Sequence, residues 1–319
     1  MRSVIRRALP WVLIAAAALG ASPGRSLAHG GGVPAPSFPA LLLEWRLAPL
    51  VVLAIALAAA AWLLLARRVA MAHPQRPHSR WRNAAFLGGL AVIGVALTSP
   101  IEAYEGQLFS VHMLQHLLLE LVAAPLLLLG APATLALRAA SPSVRRALLA
   151  VLHSRAVAVA SFPLLAWVLF AAVNWGWHFS SLYDQALETP WLHDLQHVTF
   201  LAAGLLFWWP VVGLDPSRWR LPHPVRLFYL FLAMPQNSFL GVALMSAPSS
   251  LYPHYLSNAR DWGPTPAVDQ NVGGMLMWVG GDVVFLLAMG LVVAAWVRAE
   301  DRRTAREDAR LDGLRRPSE

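Results

Sequence analysis

No cysteine occurs anywhere in the chain, which excludes disulfides, thiolate metal sites and cysteine redox chemistry. A soft metal would have to be held by imidazole and thioether, with carboxylate available to harder ions. Lysine is absent too, so the formal net charge of +8 rests on arginine alone. Charge of either sign is scarce. Charged residues make up 13% of the 319 positions, where a soluble domain carries roughly 25%. Hydrophobic residues reach 57%, and the apolar runs leave no stretch long enough for a soluble core. The arginines lie between those runs rather than in one patch, which argues against nucleic acid as a partner and for the lipid bilayer as solvent.

Residues 1–28 have the pattern of a secretory signal: Arg2, Arg6 and Arg7, an apolar centre from Ala8 to Ala21, then Pro23, Gly24 and the small residues of Ser26-Leu27-Ala28. An uncleaved first span is the alternative, and both readings put the next segment outside. Residues 29–46 read as an extracytoplasmic linker. A membrane domain over 47–297 follows, with seven apolar segments at about 47–66, 84–99, 108–130, 156–178, 190–213, 226–247 and 271–297. Segment 84–99 is short and is expected to tilt or to extend at its inner end. Every second loop is basic, with Arg67 to Arg82, Arg138 to Arg155 and Arg218 to Arg226 on one side, and the tail 298–319 joins that side. Opposite lie Arg46 and Arg260 among Glu44, Glu102, Glu105, Asp184, Glu188, Asp261 and Asp269. The expected fold is therefore an all-α polytopic bundle of about seven spans, N-terminus outside and C-terminus inside. The tail is expected to be a short cytoplasmic helical extension that frays.

Topology sorts the histidines. His73, His78, His153 and His223 fall in inner loops among arginines and prolines, and read as solvated. His112 and His116, His178, and His193 and His197 fall at the outer ends of the third, fourth and fifth spans. His112-Met113-Leu114-Gln115-His116 and His193-Asp194-Leu195-Gln196-His197 repeat one pattern, H-x-L-Q-H. Spacing of i,i+4 stacks both imidazoles on one helix face. Two such pairs on neighbouring helices could converge on a single ion, with His178 as a further ligand. Imidazoles so arranged suit copper, zinc or iron, in their neutral form. The plainer alternative is interfacial histidines bonded to backbone or headgroups.

Weaker signals surround this group. Met113 and Met275 are candidate accessory thioether ligands, although methionine in a bundle also serves as gap filler. Were cleavage to follow Ala28, the mature chain would begin at His29, whose amine and imidazole can chelate Cu(II) together; the glycines after it suit a plain linker equally well. Glu120 and Asp282 lie near mid-membrane, where an unpaired charge costs roughly 2.5–3.5 kcal/mol on insertion scales. Asn237 is a candidate partner at similar depth. The three could form a proton or ion relay, or act as interhelical polar glue.

The H-x-L-Q-H pair, Asn174-Trp175-Gly176-Trp177-His178, Trp208-Trp209-Pro210, Pro132 and Asp269-Gln270-Asn271-Val272-Gly273-Gly274-Met275 resemble the multispan CtaG family of cytochrome c oxidase assembly factors over about 45–300. That family is distinct from the single-span, cysteine-bearing copper chaperone of the same name. The resemblance implies a non-catalytic role in the bacterial inner membrane, with haem–copper oxidase subunits as partners and copper supplied on the outer side. A metal role for the five histidines rests on their spacing. The alternatives are a haem-binding electron carrier or haem-modifying enzyme, and a copper transporter using Glu120 and Asp282.

Overall fold

The structure, a computed structural model, describes residues 33–258 and 260–315, with the side chains of 40–42 and 312–315 left aside. The expected signal segment and His29 lie outside the described residues. Among the described residues every regular element is helical. Seven long helices carry the fold. They are α1 (Pro49–Ala72), α2 (Arg80–Thr98), α3 (Phe109–Leu117, continued through Leu118–Ala123 and Ala124–Leu129), α4 (Pro163–His178), α5 (Pro190–Val212), α6 (His223–Met245) and α7 (Pro266–Met275, continued through Leu276–Gly280 and Gly281–Arg315).

Proline sets most of the starts. Pro49, Pro163, Pro190, Pro224 and Pro266 each occupy a first helical turn, where the missing N–H costs nothing and φ is already helical. Six helices are long and apolar enough to cross a bilayer. The remaining one, α4, has 16 residues, about 24 Å at 1.5 Å per residue. The apolar run expected at 156–178 is divided, because Pro163 forces Phe162 to an extended ψ of 123° and separates α4 from the short helix Arg155–Ala160. The second span begins at Arg80, so it does extend at its inner end. The expected helical extension of the tail is present, with α7 continuing to Arg315.

Two sets of contacts define the two ends of the bundle. At the arginine-rich end, Arg138 donates to the Arg76 carbonyl, and Asp215 accepts from the backbone N–H groups of Ala133 (3.1 Å) and Thr134 (2.7 Å), capping the helix Pro132–Ala139. His78 corrects the reading of solvated inner histidines. It is buried against Trp62 and donates through Nε2 to the Gly130 carbonyl at 3.1 Å. His73 and His153 are exposed as expected. At the opposite end, Tyr104 donates to the Pro34 carbonyl (3.0 Å) and Trp262 to that of Val33 (3.1 Å). Val33 and Pro34, in the segment preceding α1, are therefore tied to this end of the bundle.

The outward faces are apolar, with Leu64, Phe239 and Leu291 each 65% or more exposed, as lipid-facing side chains require. The interior is divided by depth. Phe170, Phe207, Trp208, Tyr229, Leu230 and Phe285 pack the half nearer the arginine-rich loops. Phe109, Met113, Tyr183, Leu240, Tyr252 and Tyr255 pack the other half. Most of the buried polar side chains also lie in that second half or border it.

Candidate metal centre

The chemistry gathers where α3, α4 and α5 meet beneath the acidic loops. Asp269 of α7 fixes the start of α3, accepting from the Phe109 backbone N–H (2.6 Å) and the Ser110 hydroxyl (2.5 Å). From that cap, one helical turn separates His112 from His116. Between them and Pro125 the helix widens into a π turn over Leu118–Ala123. A straight α-helix would drive the Pro125 ring into the Leu121 carbonyl, and the wider turn relieves that clash. Gly204 of α5 then lets the helices close: a Cβ there would stand 2.7 Å from the Glu120 carbonyl oxygen.

Four of the five expected histidines converge. His112 and His116 face each other Nε2 to Nε2 at 2.9 Å. Ring centroids are 5.7 Å apart for His116 and His197, 5.2 Å for His112 and His193, and 4.2 Å for His193 and His197. All four rings are buried, His112 completely. His112, His116 and His197 each place one ring nitrogen within 4.8 Å of the others, and Glu105, His112 and His193 form a second such triad sharing His112. Zinc–imidazole bonds of about 2.0–2.1 Å put ligand atoms roughly 3.3 Å apart in tetrahedral geometry, so small ring movements close either triad on an ion.

Surrounding acceptors settle which nitrogens carry lone pairs. Tyr255 holds its proton, because burial pushes the phenol well above its usual range. It donates to the Glu105 backbone carbonyl at 3.1 Å, so its oxygen is left to accept from His112. His112 Nδ1 lies 3.2 Å from that oxygen and 3.2 Å from the Glu105 carboxylate. With the proton on Nδ1, Nε2 faces His116 as a lone pair. Gln115 orders His197 similarly. Its amide nitrogen donates to the Ala96 carbonyl (2.8 Å) and to the Glu102 carboxylate (2.7 Å), so its Oε1 must receive a proton from His197 Nε2 at 3.0 Å. Nδ1 is then the nitrogen of His197 with the lone pair. Carboxylate-backed imidazoles of this kind are the usual outer support of metal ligands. Nδ1 of His116 is buried without a hydrogen-bond partner.

The remaining expected residues separate. His178 stands beside the group, its ring 6.4 Å from that of His116, with Nδ1 donating to the Asn174 carbonyl (2.7 Å) and Nε2 against Met113 Sδ (3.2 Å). Met113 is wholly buried, whereas Met275 is 47% exposed on the outside of the bundle. Glu120 accepts from the Asn174 side chain at 2.8 Å, and not from Asn237. Asn237 donates to the Met277 carbonyl at 2.7 Å and lies beside Asp282, whose carboxylate accepts from Ser238 at 2.9 Å. Glu120 and Asp282 thus belong to separate polar pairings.

Sequence reasoning passed over Glu105, Tyr255 and the Glu102–Gln115 couple as site components. Gln115 recurs as Gln196 in the repeat and carried a signal. Glu105 and Tyr255 carried none, because a bend before α3 and the distant helix Pro253–Ser257 bring them in.

With this geometry in view, the sequence matches the family model for the cytochrome c oxidase caa3 assembly factor over residues 56–299. The chain belongs to that family. Its relatives include uncharacterized proteins of Mycobacterium bovis (Mb0105) and Mycobacterium tuberculosis (MT0111). Each is 33% identical over 288 residues, covering 87% of this chain and 43% of the relative. A third, ML1998 of Mycobacterium leprae, is 32% identical over 239 residues, covering 72% of this chain and 36% of the relative. The chain therefore spans less than half the length of the curated relatives it matches. No solved structure matches it significantly. Family membership and the six helices long and apolar enough to cross a bilayer agree in making this a membrane protein.

Proposed function

We propose that this chain binds copper as cargo through His112, His116 and His197, with Glu105 and His193 as first contact, and delivers it to a haem–copper oxidase subunit without catalytic turnover. The supporting observation is the 2.9 Å approach of the His112 and His116 Nε2 atoms. With the His112 proton on Nδ1, the proton between them sits on His116 Nε2; its shift to His116 Nδ1 keeps that ring neutral and leaves two Nε2 lone pairs for a cation. His197 completes a neutral three-imidazole set, which favours copper among the common divalent metals. Glu105 keeps 12% of its side chain exposed, so a carboxylate meets the incoming ion first.

The arginine bias orients this end outward across a bacterial inner membrane, the side toward which the copper centres of such oxidases lie. Haem as cargo fits less well. A macrocycle needs a flat pocket of several hundred Å³, and these rings meet edge to face with His116 stacked on Phe200 at 4.2 Å. Transport also fits less well, since the packed aromatic layer of Phe170, Phe207, Trp208 and Phe285 lies on the inner side of Glu120.

The test is metal binding by purified full-length protein. His116→Ala and His197→Ala are expected to lose bound Cu(II) while still inserting into the membrane. Unchanged copper stoichiometry in both single variants and the double variant would refute the shared site. A Soret band on the purified protein would overturn the copper reading in favour of haem.

A further inference from the structure

Beside the imidazole cluster, and unused by it, two lone-pair donors face each other. A carbonyl oxygen can only accept, so the 2.7 Å contact of His178 Nδ1 with the Asn174 carbonyl places the imidazole proton on Nδ1. A neutral ring then has its lone pair on Nε2, and Nε2 stands 3.2 Å from Met113 Sδ. A thioether has no proton to offer. Nitrogen and sulfur therefore meet lone pair to lone pair, in a region where His178 is 3% exposed and Met113 0%. Such an approach is unfavourable on its own, and a soft cation seated between the two atoms makes it favourable.

We propose that Met113 and His178 form a second metal station, selective for a soft monovalent d¹⁰ cation of the Cu(I) or Ag(I) class. The proposal rests on the copper reading above for its cargo but on different atoms for its site. Thioether sulfur with imidazole suits Cu(I) and is a poor match for Zn²⁺. Met113 sits one residue after His112 and three before His116, on the same turn of α3, while His178 closes the outer end of α4. The 6.4 Å between the His116 and His178 rings makes the two sites neighbours. The donors also grade with depth: the part-exposed Glu105 carboxylate at the rim, three imidazoles below it, and a nitrogen–sulfur pair beside them. An ion already in the Cu(I) state moves down this series toward its preferred ligands with no electron transfer required.

The experiment compares Ag⁺ and Zn²⁺ titrations of the full-length protein in detergent, wild type against Met113→Leu, a near-isosteric change that keeps the packing. Ag⁺ affinity is expected to fall roughly tenfold or more, with Zn²⁺ affinity held within about twofold. X-ray absorption of the Cu(I)-loaded wild type is expected to show sulfur in the first shell. This arm does not depend on how the variant folds. Unchanged Ag⁺ binding in Met113→Leu, equal loss of both ions, or a shell of nitrogen and oxygen alone would overturn the station. Loss of Zn²⁺ in His116→Ala with Ag⁺ retained would support two separate sites. Retention of full Zn²⁺ and Cu(II) binding in the His116 and His197 variants would refute the imidazole site while leaving this one standing.

Discussion

At the scale of single residues, the site depends as much on side chains that hold the imidazoles as on the imidazoles themselves. Gln115 links Glu102 to His197, so Gln115→Leu removes the hydrogen bond that orients the His197 ring and one donor to the Glu102 carboxylate. Copper affinity is expected to fall roughly 10- to 100-fold, measured by competition with a chromophoric chelator; an affinity equal to wild type would show that this support is idle. His78 gives a prediction at the other end of the bundle. Burial pushes its imidazole below the ordinary value of 6.5, with its hydrogen bond to Gly130 opposing. The unfolded chain then binds a proton more readily than the folded one. The contribution of the neutral ring is complete above about pH 6.5 and is lost progressively as pH falls below it. Thermal unfolding of His78→Asn in detergent is expected to show a flatter dependence between pH 7 and 5 than wild type. Parallel profiles would mean that the ring is not buried in solution.

At the scale of elements, α3 is placed by contacts from far along the chain. The Asp269 carboxylate satisfies two groups at its first turn, and the π turn at Leu118–Ala123 and Gly204 let its lower half close on α5. Asp269→Ala is expected to cost about 1–2 kcal/mol through the lost cap and the unsatisfied Phe109 N–H. Denaturation in mild detergent would register this, together with weaker copper binding, because the register of His112 and His116 follows the start of the helix. Full retention of both would remove Asp269 from any role in positioning. The existence of these helices was legible from hydrophobic runs of spanning length. The break before α4 was legible only in principle, since Pro163 interrupts a run that still reads as continuous. The helical extension of α7 was legible too, but not its length to Arg315, because a charged, solvated segment gives no burial signal.

At the scale of the whole molecule, the alternation of basic and acidic loops predicts that a reporter fused after Arg315 is active in the cytoplasm, and one inserted between Asn258 and Trp262 only outside. The reverse pattern would turn the candidate metal centre inward and end the delivery reading. The sequence alone determined that a bilayer is the solvent, roughly where most of the spans lie and which loops are basic, because these follow from composition and spacing along the chain. It also determined the imidazole pairs, since i,i+4 spacing places side chains together within one helix. Only tertiary structure decided which pairs meet. Glu105 and Tyr255 reach His112 across 7 and 143 positions, Asn174 takes Glu120 away from Asn237, and Met275 turns outward while Met113 turns in. Contacts between helices depend on rotation and crossing, and no local pattern encodes those. The histidines at one end of the spans were therefore visible as a group before folding, and became a candidate centre only through the residues that order them.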